Sequence, residues 1–334
     1  MRFSLDFRFA FFYTENISIG KKDEKIMSAG IVFGQMLIIF ALMLVGVVLC
    51  KCKIIEPSVS KQLSAIVVNV CSPMQLIMSV LNNSETTIAR SNVVHFFLLS
   101  IVTYIILILF GFVYNWILRT PRPQRGDYHL MAIFGNCGFI GIPVARAILG
   151  EESLIYVAVF ILIYNLFIYT YGLWIIVSGD GETKMENPIK QMINPGTIAC
   201  IVTIVIFWFQ IKVPEQVQSF CDYTGGPATF LALVVIGISL AGMSLKEMVE
   251  DVRFFCFVCI RFLLFPILFV SVSKIFIGDI LIRGVLALMV AMPIGNMPAM
   301  MRSQFGQDDT MLAKGAIITT MLSVVTITIT CMFV

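Results

Sequence analysis

Asn136 and Asn296 are the side chains best suited to handle a small charged molecule. Asn136 stands in Phe134-Gly135-Asn136-Cys137-Gly138-Phe139-Ile140-Gly141-Ile142-Pro143, and Asn296 in Ala291-Met292-Pro293-Ile294-Gly295-Asn296-Met297-Pro298. Both stretches lie inside apolar runs of membrane-spanning length. Glycine and proline weaken or remove the helical backbone ladder, so both stretches read as broken helices. Inside a bilayer, freed backbone groups are tolerated only where protein or a water-filled cavity satisfies them. Half-helices whose N-termini meet at one spot turn positive dipole ends towards it, which favours an anion. A neutral amide can hydrogen-bond a carboxylate without a full counter-charge, so the bound molecule can still leave. The expected substrate site is therefore Asn136, Gly141, Pro143, Gly295, Asn296 and Pro298. The two amides also suit capping of the half-helices, and capping and binding can coexist.

A second constellation centres on Asp222, which precedes Tyr223-Thr224-Gly225-Gly226-Pro227. An acid inside a membrane span is by default a candidate for coupling to a proton or cation. Asn69 and Ser72 stand at the corresponding place in an earlier span. Asp222, Asn69, Ser72, Tyr223 and Thr224 are thus the expected polar pocket for H⁺ or Na⁺; no other cofactor is expected. The alternative places Asp222 at the outer interface, idle.

Composition sets the class. Of 334 residues 59% are hydrophobic and 13% charged, with a mean hydropathy of +0.95. A soluble domain carries about 25% charged residues, so the chain is an integral membrane protein. A dispersed net charge of +3 has no basic stripe for nucleic acid. The nine cysteines lie mostly in apolar runs, and Cys50-Lys51-Cys52 is the closest pair, without zinc-site spacing. There is no His-Glu-x-x-His, Gly-x-Ser-x-Gly or Walker motif, so metal hydrolysis, acyl transfer and ATP-driven pumping lack their parts.

The elements that must position these residues are ten apolar segments, each near the ~20 residues that cross a bilayer. They fall at about 29–49, 57–81, 93–118, 129–149, 153–177, 194–211, 216–241, 252–276, 281–303 and 309–333. Residues 1–28 form a mixed N-terminal tail without signal-peptide features, and Met27 offers a second possible start. A first five-helix repeat covers 29–177, a polar cytoplasmic linker 178–193, and a second repeat 194–334. Pro73 matches Pro227 at an offset of 154, and Pro143 matches Pro298 at 155. Five spans per repeat is odd, so the halves are inverted relative to each other, with spans four and nine broken. Lys/Arg residues number twelve on one side and four on the other, leaving out the tail. The richer side is cytoplasmic and both termini are outside, although the tail's five basic residues run against this.

Gly135-Asn136…Gly141-Ile142-Pro143, then Gly150 with Glu151-Glu152, Pro293-x-Gly295-x-x-Pro298 and the late Thr319-Thr320-Met321-Leu322-Ser323 resemble the auxin efflux carrier family of membrane transport proteins. The resemblance spans essentially residues 29–334. It implies an all-α membrane protein of ten transmembrane helices in two inverted five-helix repeats, with crossover helices four and nine meeting at Pro143 and Pro298, as in sodium/proton antiporter-like and bile acid transporter-like folds. It implies a scaffold and a mobile crossover domain moving in an elevator fashion, and a homodimer through scaffold helices. The cargo implied is a small organic anion, a carboxylate such as malate or malonate in bacterial members. Asn136 matches an asparagine that contacts the substrate carboxylate in plant members, whereas Asn296 stands where plant members carry an apolar residue. The short linker is the bacterial style, which implies the bacterial inner membrane. The competing reading is a cation/proton antiporter on a similar scaffold, which normally wants acids in the crossover itself.

The remaining polar residues are read as structural. Arg146, Arg302 and Lys314 are expected to snorkel to the interface. Arg261 and Lys274 are read as interfacial anchors of span eight, and His95 and His129 as interfacial. Tyr156, Tyr164, Tyr169, Tyr171 and Trp174 are expected to pack or to belt the membrane.

Overall fold

The computed structural model describes residues 29–81, 89–178, 193–241, 252–305 and 307–334. The N-terminal tail and almost all of the expected linker lie outside these residues. Within them the chain is all-helical, and the only extended pairing is an isolated antiparallel bridge between Gly135 and Ile294. That is what lipid demands, because a helix satisfies its own backbone.

The helices are α1 (Ala29–Lys51), α2 (Val59–Ile66), α3 (Ser72–Leu81), α4 (Arg90–Ile117), α5 (Arg125–Ile133), α6 (Ile142–Leu149), α7 (Ser153–Phe167) and α8 (Leu173–Ser178). They continue as α9 (Pro195–Phe209), α10 (Glu215–Gly225), α11 (Ala228–Ala241), α12 (Val252–Cys259), α13 (Phe265–Phe276), α14 (Ile280–Ala291), α15 (Met297–Gln304) and α16 (Thr310–Cys331). Single π-helical turns join α2 to α3, α7 to α8 and α12 to α13, and a fourth at Cys137–Gly141 leads into α6. Among the described residues five stretches are long and apolar enough to cross a bilayer: Arg90–Ile117, Ser153–Ser178, Glu215–Ile238, Val252–Phe276 and Thr310–Cys331. Shorter apolar helices are Met36–Lys51, Cys137–Leu149, Pro195–Phe209 and Ile280–Ala291.

The span around Asp222 runs on past Pro227: Gly226 keeps helical angles (φ −53°, ψ −43°), its N–H reaches the Asp222 carbonyl at 2.8 Å, and Leu231 N–H reaches the Pro227 carbonyl at 2.9 Å, so the proline removes one donor without ending the span.

Burial separates inner from outer helices. Nearly every side chain of α7 is buried, and α14 is buried from Gly284 onward. By contrast α4 exposes an apolar face from Val94 to Trp116, as a helix against lipid should. α1 packs along α11, α9 lies against α3 and α7, and α16 packs on α1 and α14. The α1–α11 contact depends on Gly46 and Gly237. A Cβ on Gly237 would overlap the Met43 carbonyl, and one on Gly46 would overlap that of Val234. Small residues permit this approach where no hydrophobic effect drives helices together.

Candidate functional site

The two interrupted stretches cross in the interior. Helical geometry ends at Phe134 (φ −101°, ψ 94°) on one side and at Met292 (φ −58°, ψ 138°) on the other. The extended residues then pair: Asn136 N–H donates to the Pro293 carbonyl at 2.7 Å, and Gly295 N–H to the Phe134 carbonyl at 2.9 Å. A side chain at Gly295 would bring a Cβ to 2.9 Å from the Gly135 oxygen, so only glycine allows the strands to touch. This is how backbone freed by Gly and Pro is satisfied at depth: each broken helix completes the other.

Of the carbonyls that the pairing leaves behind, two share one partner. In unbroken helices Asn136 N–H would reach the Ala132 carbonyl, and Ile294 N–H the Val290 carbonyl. The first N–H goes to Pro293 instead, and the second to the Thr319 hydroxyl oxygen at 3.0 Å. Both abandoned carbonyls are capped by one side chain: Arg261 Nε donates to Ala132 O at 2.6 Å and Nη1 to Val290 O at 2.9 Å. Arg261 is 1% exposed. The reading of Arg261 as an interfacial anchor is therefore corrected: it sits ten residues into span 252–276, too deep for its stem to reach the interface. Its signal was legible as a charge in the middle of an apolar run. Thr319, earlier only part of a motif, is 2% exposed and donates its own proton to the Gly315 carbonyl at 2.8 Å.

Of the expected substrate residues, Asn136 is buried and its Oδ1 accepts from Phe139 N–H at 3.1 Å, capping the Cys137–Gly141 turn. Its Nδ2 makes no hydrogen bond among the described residues. Asn296 is half-buried and immediately precedes α15, whose Met300 N–H donates to its carbonyl at 3.0 Å. The Asn296 side-chain amide has no hydrogen-bond partner among the described residues. Pro298 occupies the second position of α15, where a missing donor is harmless, whereas Pro143 stands where the Cys137–Gly141 turn runs into α6. Gly141 packs against the Met289 methyl. The two crossovers are unequal: Asn136 stands seven residues before Pro143, Asn296 two before Pro298, and the five-residue turn Cys137–Gly141 makes up the difference.

One end of the crossing is tied by charge. Arg302 Nη2 lies 2.9 Å from Asp127 Oδ1, with both side chains largely buried. Snorkelling of Arg302 is corrected accordingly: it joins the start of α5 to the end of α15. Nearby Asp308, outside the spans, accepts from the N–H and hydroxyl of Thr310, which hold its carboxyl below the usual range. His129 is buried in the protein, its Nε2 2.9 Å from the Tyr171 hydroxyl.

The expected ion pocket is not gathered in this arrangement. Asn69 is exposed and bonds back to the Ala65 carbonyl at 2.8 Å, and Thr224 bonds back to Phe220 O at 2.6 Å. Tyr223 is 81% exposed, and Ser72 is half-buried. Helical periodicity turns consecutive residues 222–224 to different faces, which the sequence reading overlooked. Asp222 instead edges a small crevice with Gln75, Arg146 and Glu151, where Arg146 pairs with Glu151. In the same region Gln75 Nε2 donates to Thr229 Oγ1 at 3.1 Å, two residues 154 positions apart. Among the described residues no cluster of His, Cys, Asp or Glu is suited to a metal ion.

The family described as membrane transport protein matches residues 31–331. An uncharacterized transporter of Methanocaldococcus jannaschii is 25% identical over 303 residues, covering 87% of this chain and 95% of that one. A putative malonate transporter of Rhizobium meliloti is 21% identical over 253 residues, covering 73% of this chain and 78% of its own. With a family match across nearly the whole chain, the protein belongs to the membrane transport protein family, that of the auxin efflux carriers, and is a multi-pass membrane transporter.

Proposed function

We propose that the protein is a secondary transporter of a small organic anion, a carboxylate of the malate or malonate class, bound at the crossing of the two broken spans. The observation that carries this is the pairing of Phe134–Asn136 with Pro293–Gly295 beside two uncommitted amide groups, on Asn136 and Asn296. Downstream half-helix N-termini at the crossing favour negative charge, and the crossing holds no acid that would favour a cation instead. The name of the Rhizobium relative, a putative malonate transporter, points the same way.

The transport movement is of the elevator type, between two inverted five-helix halves. The packing supports this: exchanging the halves maps the α1–α11 contact onto α9–α3, α16–α1 onto α7–α9, and α14–α7 onto α5–α16. α1, α3, α9, α10 and α11 form the scaffold, through which two copies associate, and the crossing rides with the rest. Coupling falls to Asp222 at the crevice between these groups.

Purified protein in vesicles, given labelled mono- and dicarboxylates under imposed pH and Na⁺ gradients, tests the reading. Accumulation of a carboxylate above the level of empty vesicles is expected. Na⁺-dependent proton flux with no organic substrate would replace it with the antiporter.

A further inference from the structure

The burial of Arg261 has to be explained. Its guanidinium lies 4.9 Å from the ring centre of Phe262 and 5.4 Å from that of Phe265, and among the described residues no carboxylate pairs with it. A buried cation without an anionic partner is strongly unfavourable unless something else compensates it. Here the compensation is the pair of abandoned carbonyls, Ala132 O and Val290 O, near the C-terminal ends of α5 and α14.

Four helix ends meet at the crossing. The C-termini of α5 and α14 carry partial negative charge, while the N-termini of the Cys137–Gly141 turn and of α15 carry partial positive charge. Left alone the two pairs oppose each other, and the field at Asn136 and Asn296 is weak. We propose that Arg261 neutralises the C-terminal pair, so that the crossing presents a net positive field and binds carboxylates more tightly the more negative charges they carry. The proposal rests on the reading of the chain as an organic-anion carrier and deepens it. Arg261 is buried behind the crossing, so it is a positioning residue that acts through the field and through holding α5 to α14. The crossing asparagines supply hydrogen bonds and Arg261 supplies the charge preference.

The test uses Arg261→Gln and Arg261→Lys in reconstituted vesicles, with labelled propionate and malonate as probes of similar size and different charge. For Arg261→Gln we expect KM to rise about tenfold for propionate and about a hundredfold for malonate, since a lost unit charge acts on each substrate charge. Arg261→Lys keeps the charge and should fall between that variant and wild type. Elution and melting in detergent report folding; if Arg261→Gln does not fold, Arg261→Met, neutral and with an apolar stem to lie against Phe262 and Phe265, carries the same comparison. A neutral variant that folds like wild type but shifts both probes by the same factor, or neither, overturns the proposal, and so does wild-type protein whose half-saturating concentration is no lower for malonate than for propionate. Wild-type protein that moves neither probe overturns the organic-anion reading as well, which separates the two failures.

Discussion

At the scale of single residues, the crossing is an exchange of hydrogen bonds in which the N–H groups of Asn136, Ile294 and Gly295 are diverted to new acceptors. Thr319 is the clearest case, because it receives the Ile294 N–H that helix geometry would send to Val290. Thr319→Val keeps the shape and removes the acceptor, leaving a buried N–H unpaired. The expected loss is about 1–3 kcal/mol of stability, read as a lowered melting temperature, with Thr319→Ser close to wild type. An unchanged melt for the valine variant would show that the Ile294 N–H finds another partner. Asn136 has a divided amide: its oxygen caps a turn, and its Nδ2 makes no hydrogen bond among the described residues, which in the proposed reading leaves it to the anion. Capping alone predicts that Asn136→Asp, which keeps the accepting oxygen, transports like wild type. Anion binding predicts at least a tenfold loss of affinity from the added negative charge, which dose–response uptake would resolve.

At the scale of elements, what decided legibility was periodicity against accident. The broken spans were readable because Gly135, Gly295, Pro143 and Pro298 have few other uses in an apolar run. Their mutual pairing was not, since no sequence rule says which extended segment meets which. The five-residue turn at Cys137–Gly141 was also hidden, because offsets of 154 and 155 suggested equal halves. Asp222 and its neighbours were grouped by adjacency in sequence, whereas a helix sends adjacent residues to different sides. The α1–α11 contact gives an element-scale prediction. Gly237→Val places side-chain atoms against the Met43 carbonyl and should abolish the folded peak on size exclusion. Gly34→Ala, where an added Cβ meets nothing within 4 Å, should behave as wild type.

At the scale of the whole molecule, the family match shows a membrane transporter, and the elevator motion proposed for it sets the crossing moving against α1, α3, α9, α10 and α11. Spin labels give this a measurable form. Labels at exposed positions Phe230 on α11 and Phe97 on α4 should change separation when carboxylate is added, while Phe230 and Val48 on α1 should not. Equal behaviour of the two pairs would contradict elevator motion. Asp222→Asn belongs to the same scale: transport driven by an imposed gradient should lose its ion dependence while downhill exchange persists.

The most direct measurement for the central claim, an anion held where the interrupted spans cross, is carboxylate uptake by Asn136→Ala and Asn296→Ala proteins that fold like wild type. Each is predicted to raise the half-saturating concentration at least tenfold, in keeping with the loss of a hydrogen bond to a charged group. Uptake with unchanged affinity in both would place the anion elsewhere in the molecule.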